Sequence, residues 1–160
     1  MSYKIIVLAP SCGGKSSLMR YLRDHTDLQI AETDEEVMKA NNNVWPDDEL
    51  KKNVLVLQTT KEIISRPEVI YFASYIPTNL LQDAKSKGFS ITLLDLPIEE
   101  LRRRNRRRMS EEGYDDVSEW FEGQLLNFEE LKGEGLVDVI LDGDRKIATI
   151  SSDLLQIVGP

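Results

Sequence analysis

Cysteine and histidine are almost missing from this sequence of 160 residues, with one of each, Cys12 and His25. A single cysteine excludes an intrachain disulfide and a cysteine-based zinc cage, so a reducing, cytoplasmic setting is the expectation. A single histidine excludes a His-rich metal site. Long apolar runs are missing too; the longest span about five residues, at 5–9 and 69–73. A spanning helix needs ~20 apolar residues and a secretory signal ~7–15, so neither a membrane segment nor a signal peptide is expected. Proline and glycine are sparse, at 6 and 9 residues, which excludes a linker or a low-complexity chain. Excess positive charge is also absent. A formal net charge of −8 argues against a polynucleotide partner. What remains is a globular composition, 41% hydrophobic and 30% charged, of a length that suits one domain over residues 1–160.

The charge is unevenly placed. Six of the ten arginines lie between Arg102 and Arg108, so the rest of the chain is more acidic than the total implies. That asymmetry points to a local anion site on an acidic surface.

No repeat with a period of 20–50 residues is present. Short β-branched runs alternate with helical patterns. Strands are predicted at 4–9, 28–31, 69–73, 90–94 and 137–141. Helices are predicted at 14–23, at 47–65 with Leu50, Val54, Leu57 and Ile64 on one face, and at 78–87 closed by Gly88. A further helix starts at Pro97, with Glu99 and Glu100 in its first turn. Asp116 and Glu119 form a capping-box-like start, followed by Val117, Trp120, Leu125, Phe128 and Leu131 at helical spacing. Ile147, Ile150, Leu154 and Val158 mark the last helix. Five strands separated by helices predict a three-layer α/β fold, a parallel sheet covered on both faces. Right-handed crossovers put the strand C-termini, and a ligand crevice, on one edge.

The first such strand end carries the strongest motif. It reads Ala9-Pro10-Ser11-Cys12-Gly13-Gly14-Lys15-Ser16-Ser17 and then a helix. This fits G-x-x-x-x-G-K-[ST] except that Ala9 replaces the first glycine. Glycines let backbone N–H groups converge on phosphate oxygens, and the helix N-terminus adds its positive end. Ser11, Cys12, Gly13, Gly14, Lys15, Ser16 and Ser17 are therefore the candidate nucleotide-binding residues. Lys15 reaches the β- and γ-phosphates and the Ser16 hydroxyl binds Mg²⁺. The competing interpretation is a glycine-rich turn before an ordinary helix. Cys12 reads as loop filler, because a catalytic thiol needs a base partner.

With this loop and this element order the chain resembles the P-loop small-molecule and nucleotide kinases, of adenylate-kinase-like, shikimate-kinase-like and gluconate-kinase-like type. The resemblance implies a strand order of 2-3-1-4-5, ATP and Mg²⁺ as cofactors, and an ATP-dependent phosphotransferase acting on a small metabolite or nucleotide.

The arginine segment follows Asp95-Leu96-Pro97. At 100° per residue, Ile98, Leu101, Asn105 and Met109 share one stripe. Arg104 and Arg108 flank it on one side, Arg102 and Arg106 on the other, and Arg103 and Arg107 lie opposite. In adenylate-kinase-like enzymes two arginines four apart follow such a proline. The resemblance assigns Arg104 to stacking on the base and Arg108 to the transferring phosphoryl group. It makes 109–116, with Gly113, a short lid within a lid region of about 102–116. A solvated basic face, or a patch for nucleic acid, is the alternative.

The second strand runs into Glu32-Thr33-Asp34. Two carboxylates two apart at a strand end can face one crevice. Shikimate-kinase-like enzymes carry an Asp-x-Asp there, so the resemblance gives Asp34 the acceptor hydroxyl and Glu32 the metal. Helix capping by Thr33 or Asp34 is the alternative. The run 91–95 looks like a Walker B, but the resemblance places that strand on the far side of strand 1, with Asp95 capping the lid helix. The strand beside strand 1 ends in Ala73-Ser74-Tyr75, without a carboxylate. The acceptor pocket is expected between Glu32, the 41–48 segment and 74–77. Its cations are few: Arg66, Lys51, Lys52 and Lys61. Trp45 and Tyr75 are candidates to stack a ring or line a sugar site. Trp120 reads as packing, and His25 as exposed. An ATPase without acceptor, and a 5′-hydroxyl nucleic-acid kinase, are the competing functions.

Overall fold

The computed structural model describes residues 3–50 and 54–159. Its centre is β1, Lys4–Leu8, whose residues from Ile5 onward are buried. Alternate side chains point to opposite faces: Ile6 and Leu8 join one core, Ile5 and Val7 the other. A strand with both faces covered needs such a continuous apolar run, each side chain contributing about 1.5–3 kcal/mol by leaving water. β1 pairs in parallel with β3, Val69–Ala73, and with β4, Ser90–Asp95. β2, Ile30–Glu32, pairs with β3, and β5, Val139–Asp142, with β4. The order is β2-β3-β1-β4-β5, as the resemblance implies.

One face is covered by α4, Val56–Ile63, α5, Thr78–Ser86, and α7, Phe121–Gly133. The other is covered by α1, Lys15–His25, α6, Ile98–Glu112, and α8, Ile147–Val158. α2, Thr33–Ala40, and the single turn α3, Asp48–Leu50, follow β2. No helix among the described residues is long and apolar enough to cross a membrane.

Several expectations are corrected. The 47–65 helix is two pieces, α3 and α4, and its residues 51–53 lie outside the described ones. Of the predicted face, Ile64 is buried and Leu57 packs against the core, while Leu50 and Val54 are exposed; Thr59, Thr60 and Ile63 complete the buried face, where α4 packs with α2. β2 and β5 each begin two residues later than predicted. The capping-box-like start opens a 3-10 turn, Ser118–Trp120, with Asp116 Oδ1 accepting from Ser118 N at 2.9 Å. α7 begins only at Phe121, which is fully buried, whereas Trp120 lies 57% exposed. The turn of different pitch ahead of the helix puts Phe121 rather than Trp120 at the head of the apolar face, which continues as expected through Leu125, Phe128 and Leu131. The packed stripe of α6 is Leu101 and Asn105, and Met109 is exposed. Asp95 does not cap α6; Pro97 is the N-cap residue and no side-chain hydrogen bond caps the helix.

Candidate functional site

The crevice forms where β1 ends. Gly13 N donates to Pro10 O at 2.9 Å, closing a tight turn. A Cβ on Gly13 would lie 2.7 Å from that same oxygen, so only glycine fits there. Gly14, at φ 89°, is the N-cap of α1 and offers no side chain to the helix end. The first amide bonded within α1 is Leu18 N, to Gly14 O. The N–H groups of Lys15, Ser16 and Ser17 therefore have no acceptor inside the helix, which is what an anion requires of a helix start. Ser16 and Ser17 are exposed at this edge.

Lys15 is directed by two neighbouring strand ends. Its Nζ donates to Ser74 Oγ at 3.2 Å and lies 3.8 Å from Glu32 Oε1. Ser74 follows β3, the strand next to β1, so a hydroxyl occupies the strand end where a Walker B carboxylate was sought. Glu32 is itself placed by capping: its Oε2 accepts from Glu35 N at 2.9 Å. This overturns the reading of Glu32 and Asp34 as alternate residues of one strand. α2 starts at Thr33, directly after β2, so Glu32 is the cap and Asp34 an exposed residue of the first helical turn. Buried Tyr71 fixes that start, its hydroxyl lying 2.9 Å from Thr33 Oγ1 and 3.0 Å from Thr60 Oγ1. Burial pushes the Tyr71 hydroxyl pKa up, so it stays protonated.

Of the two arginine pairs that border the packed stripe of α6, the one the resemblance selects, Arg104 and Arg108, faces the loop. Arg104 Nη1 donates to Cys12 O at 3.2 Å and Nη2 to Gly143 O at 3.5 Å. Glu100 braces it from one turn back, at 2.9 Å from Nε, and also binds Arg103 at 2.6 Å. Hydrogen bonds from Arg103 and then Arg104 pull the Glu100 carboxyl down to about 2. Arg108 Nη1 donates to Cys12 Sγ at 3.5 Å, and its guanidinium stacks 4.4 Å from the Tyr114 ring centre. Arg102 turns instead to Glu99 and Glu122, and Arg106 and Arg107 are exposed. Arg108, Cys12, Asn105, Tyr114, Asp115 and Val117 enclose a cavity of about 220 Å³. Gly113, at φ 70°, ends α6. Beyond it, buried Asn105 holds the chain by accepting from Val117 N and donating to Asp116 Oδ1.

Lys15, Glu32, Arg104 and Arg108 thus converge on one loop, joined by Ser74 and by Gln124 of α7, which sequence reasoning did not find. Gln124 Oε1 accepts from Ser11 N at 2.8 Å across 113 residues of sequence. Nothing local marks so distant a contact. Arg66 is occupied elsewhere, held by Glu62 at 2.7 Å and Glu36 at 3.3 Å. His25 is exposed, as expected, and stacks on Tyr21.

No protein-family model matches this sequence, and no curated protein is similar to it by sequence. Its shape does have counterparts. A shikimate kinase from Aquifex aeolicus superposes with a TM-score of 0.69 at 20% identity, over 96% of this chain and 95% of that one. A shikimate kinase from Acinetobacter baumannii in complex with shikimate reaches 0.73 at 15% identity, over 99% and 93%. A gluconokinase from Sinorhizobium meliloti reaches 0.67 at 18% identity, over 98% and 91%. The chain has the P-loop kinase fold. Within this fold, the head of α1 combines a loop that tolerates no Cβ at Gly13, three N–H groups without helical acceptors, and a lysine whose Nζ lies between the ends of β3 and β2.

Proposed function

We propose that this protein is an ATP-dependent phosphotransferase acting on a small hydroxyl-bearing acceptor. The observation that carries the reading is the meeting of Lys15, Arg104 and Arg108 on one glycine-shaped loop. MgATP supplies the electrophilic phosphoryl group. Ser11, Cys12, Gly13 and Gly14 shape the cradle, and the amides up to Ser17 line it. Lys15 neutralises charge on the transferring group, and Ser16 with Glu32 would hold Mg²⁺. Arg104, which the resemblance assigns to the base, stacks on it. Arg108 neutralises the developing charge when it leaves Tyr114, and 109–116 acts as the lid that excludes water. Asp34 accepts the hydrogen bond of the acceptor hydroxyl. A cytoplasmic setting belongs to the same reading.

ADP release from MgATP, measured against sugars, nucleosides, nucleotides and hydroxy acids, tests it. Release should depend on one class of acceptor and vanish in Lys15→Ala. MgADP at ~100-fold over its dissociation constant should stabilise the fold by about 2.7 kcal/mol, a rise in melting temperature of roughly 5–10 °C that Lys15→Ala removes. ADP formed at one rate whatever the acceptor would leave an ATPase in place of a kinase.

A further inference from the structure

The tip of the phosphate loop carries a backbone conformation that its residue does not favour. The turn closed by Gly13 N and Pro10 O has Cys12 in its third position, at φ 63°. That left-handed conformation crowds Cβ against the backbone and normally falls to glycine. It persists where surrounding contacts over-determine it. Two contacts do so here. Arg104 Nη1 donates to Cys12 O at 3.2 Å. From the other side Gln124 uses both ends of its amide on one residue: Oε1 accepts from Ser11 N at 2.8 Å, and Nε2 donates to Ser11 Oγ at 3.0 Å. The residues on which the turn pivots are thus held from α6 and from α7.

We propose that Gln124 is a positioning residue for the phosphate loop. It holds the strained turn in its anion-ready shape, so nucleotide binding does not carry the cost of forming that shape. The inference rests on the loop being the nucleotide site. Gln124 needs no contact with the nucleotide. Its effect on affinity comes through the fraction of molecules whose loop is already competent.

MgADP titration calorimetry on the full chain tests this, with melting temperatures recorded so that only folded variants are compared. Gln124→Ala should raise the Kd about tenfold, and Gln124→Glu, which keeps an acceptor for Ser11 N but loses the donor, about threefold. Cys12→Gly removes the Cβ that makes the turn costly. In that background Gln124→Ala should raise the Kd by about threefold or less. An unchanged Kd in Gln124→Ala overturns the proposal. So does an equal loss in both backgrounds, which would mean direct contact with the ligand or general destabilisation. If Gln124→Ala does not fold, Gln124→Glu with and without Cys12→Gly makes the same comparison. Failure of the wild-type protein to bind MgADP would instead sink the phosphate-loop reading, and this inference with it.

Discussion

The phosphate loop and the 41–50 segment are both short stretches between regular elements, yet they are held differently. The loop's contacts come from far away in sequence: Ser74, Arg104 and Gln124 lie 59, 92 and 113 residues from their partners. The 41–50 segment is shaped by neighbours. Asn41 Nδ2 donates to Val44 O, Asn43 N to Met38 O, and Leu50 N to Asp47 Oδ1. Asn42 and Asn43 adopt positive φ, which asparagine tolerates without distant support. Trp45 is half exposed, and so is Tyr75 beyond β3. Under the proposed function, a loop bonded from α6 and from α7 keeps one shape for phosphate. Under the same proposal, the 41–50 segment, with Trp45 half exposed, is the side that reshapes around an acceptor.

This contrast predicts where substitutions act. The largest effect should come from the acceptor side. Asp34→Asn keeps the side chain's size and removes its charge, and phosphoryl transfer should fall by ~10²–10⁴-fold with MgADP affinity nearly unchanged. Normal turnover in that variant would leave Asp34 with no part in transfer and the acceptor side with no assigned group.

On the braced side the two lid arginines should separate. Arg108→Ala should lower turnover by roughly 10–10³-fold with a smaller change in MgADP binding. Arg104→Ala should do the reverse, weakening MgADP about tenfold, since its guanidinium holds Cys12 O. Exposed Arg107 should tolerate alanine in both assays. Equal losses in all three variants, reproduced by added salt, would describe a diffuse basic patch instead.

The smallest effect concerns the brace behind Arg104. The Glu100 carboxyl is held down to about 2 by Arg103 and Arg104. A carboxyl depressed in this way stabilises the fold above the ordinary glutamate range, and the contribution is lost as pH falls from that range to about 2. Glu100→Gln should therefore lower the melting temperature by roughly 1–3 °C at neutral pH and leave it unchanged near pH 2, so that its fall with acid is shallower than in the wild-type protein. An unaltered acid limb would remove Glu100 from the brace.

Much of this molecule follows from local chemistry. Apolar runs of five residues with β-branched composition, set between helical periodicities, are enough for a parallel sheet, and its order agrees with that of the resembling kinases. The phosphate loop was legible because its function constrains residue type position by position: no Cβ at Gly13, positive φ at Gly14, a lysine next. The helical wheel narrowed six arginines to two flanking pairs, 104/108 and 102/106, because a helix fixes which residues share a face; the resemblance chose Arg104 and Arg108, and these are the two that meet Cys12. Elsewhere the local pattern misled. Two carboxylates two apart read as one strand face, but the chain turned into α2 at Thr33, where Tyr71 reaches it from β3 with its hydroxyl also bonded to Thr60 of α4. Trp120 and Phe121 exchanged places when a 3-10 turn entered ahead of α7. Ser74 was expected only as part of an acceptor pocket at 74–77, its bond from Lys15 went unforeseen, and Gln124 against Ser11 had no signature at all. A hydroxyl or an amide gains meaning only from the partner opposite it, and that partner is chosen by how strands and helices pack across the whole chain.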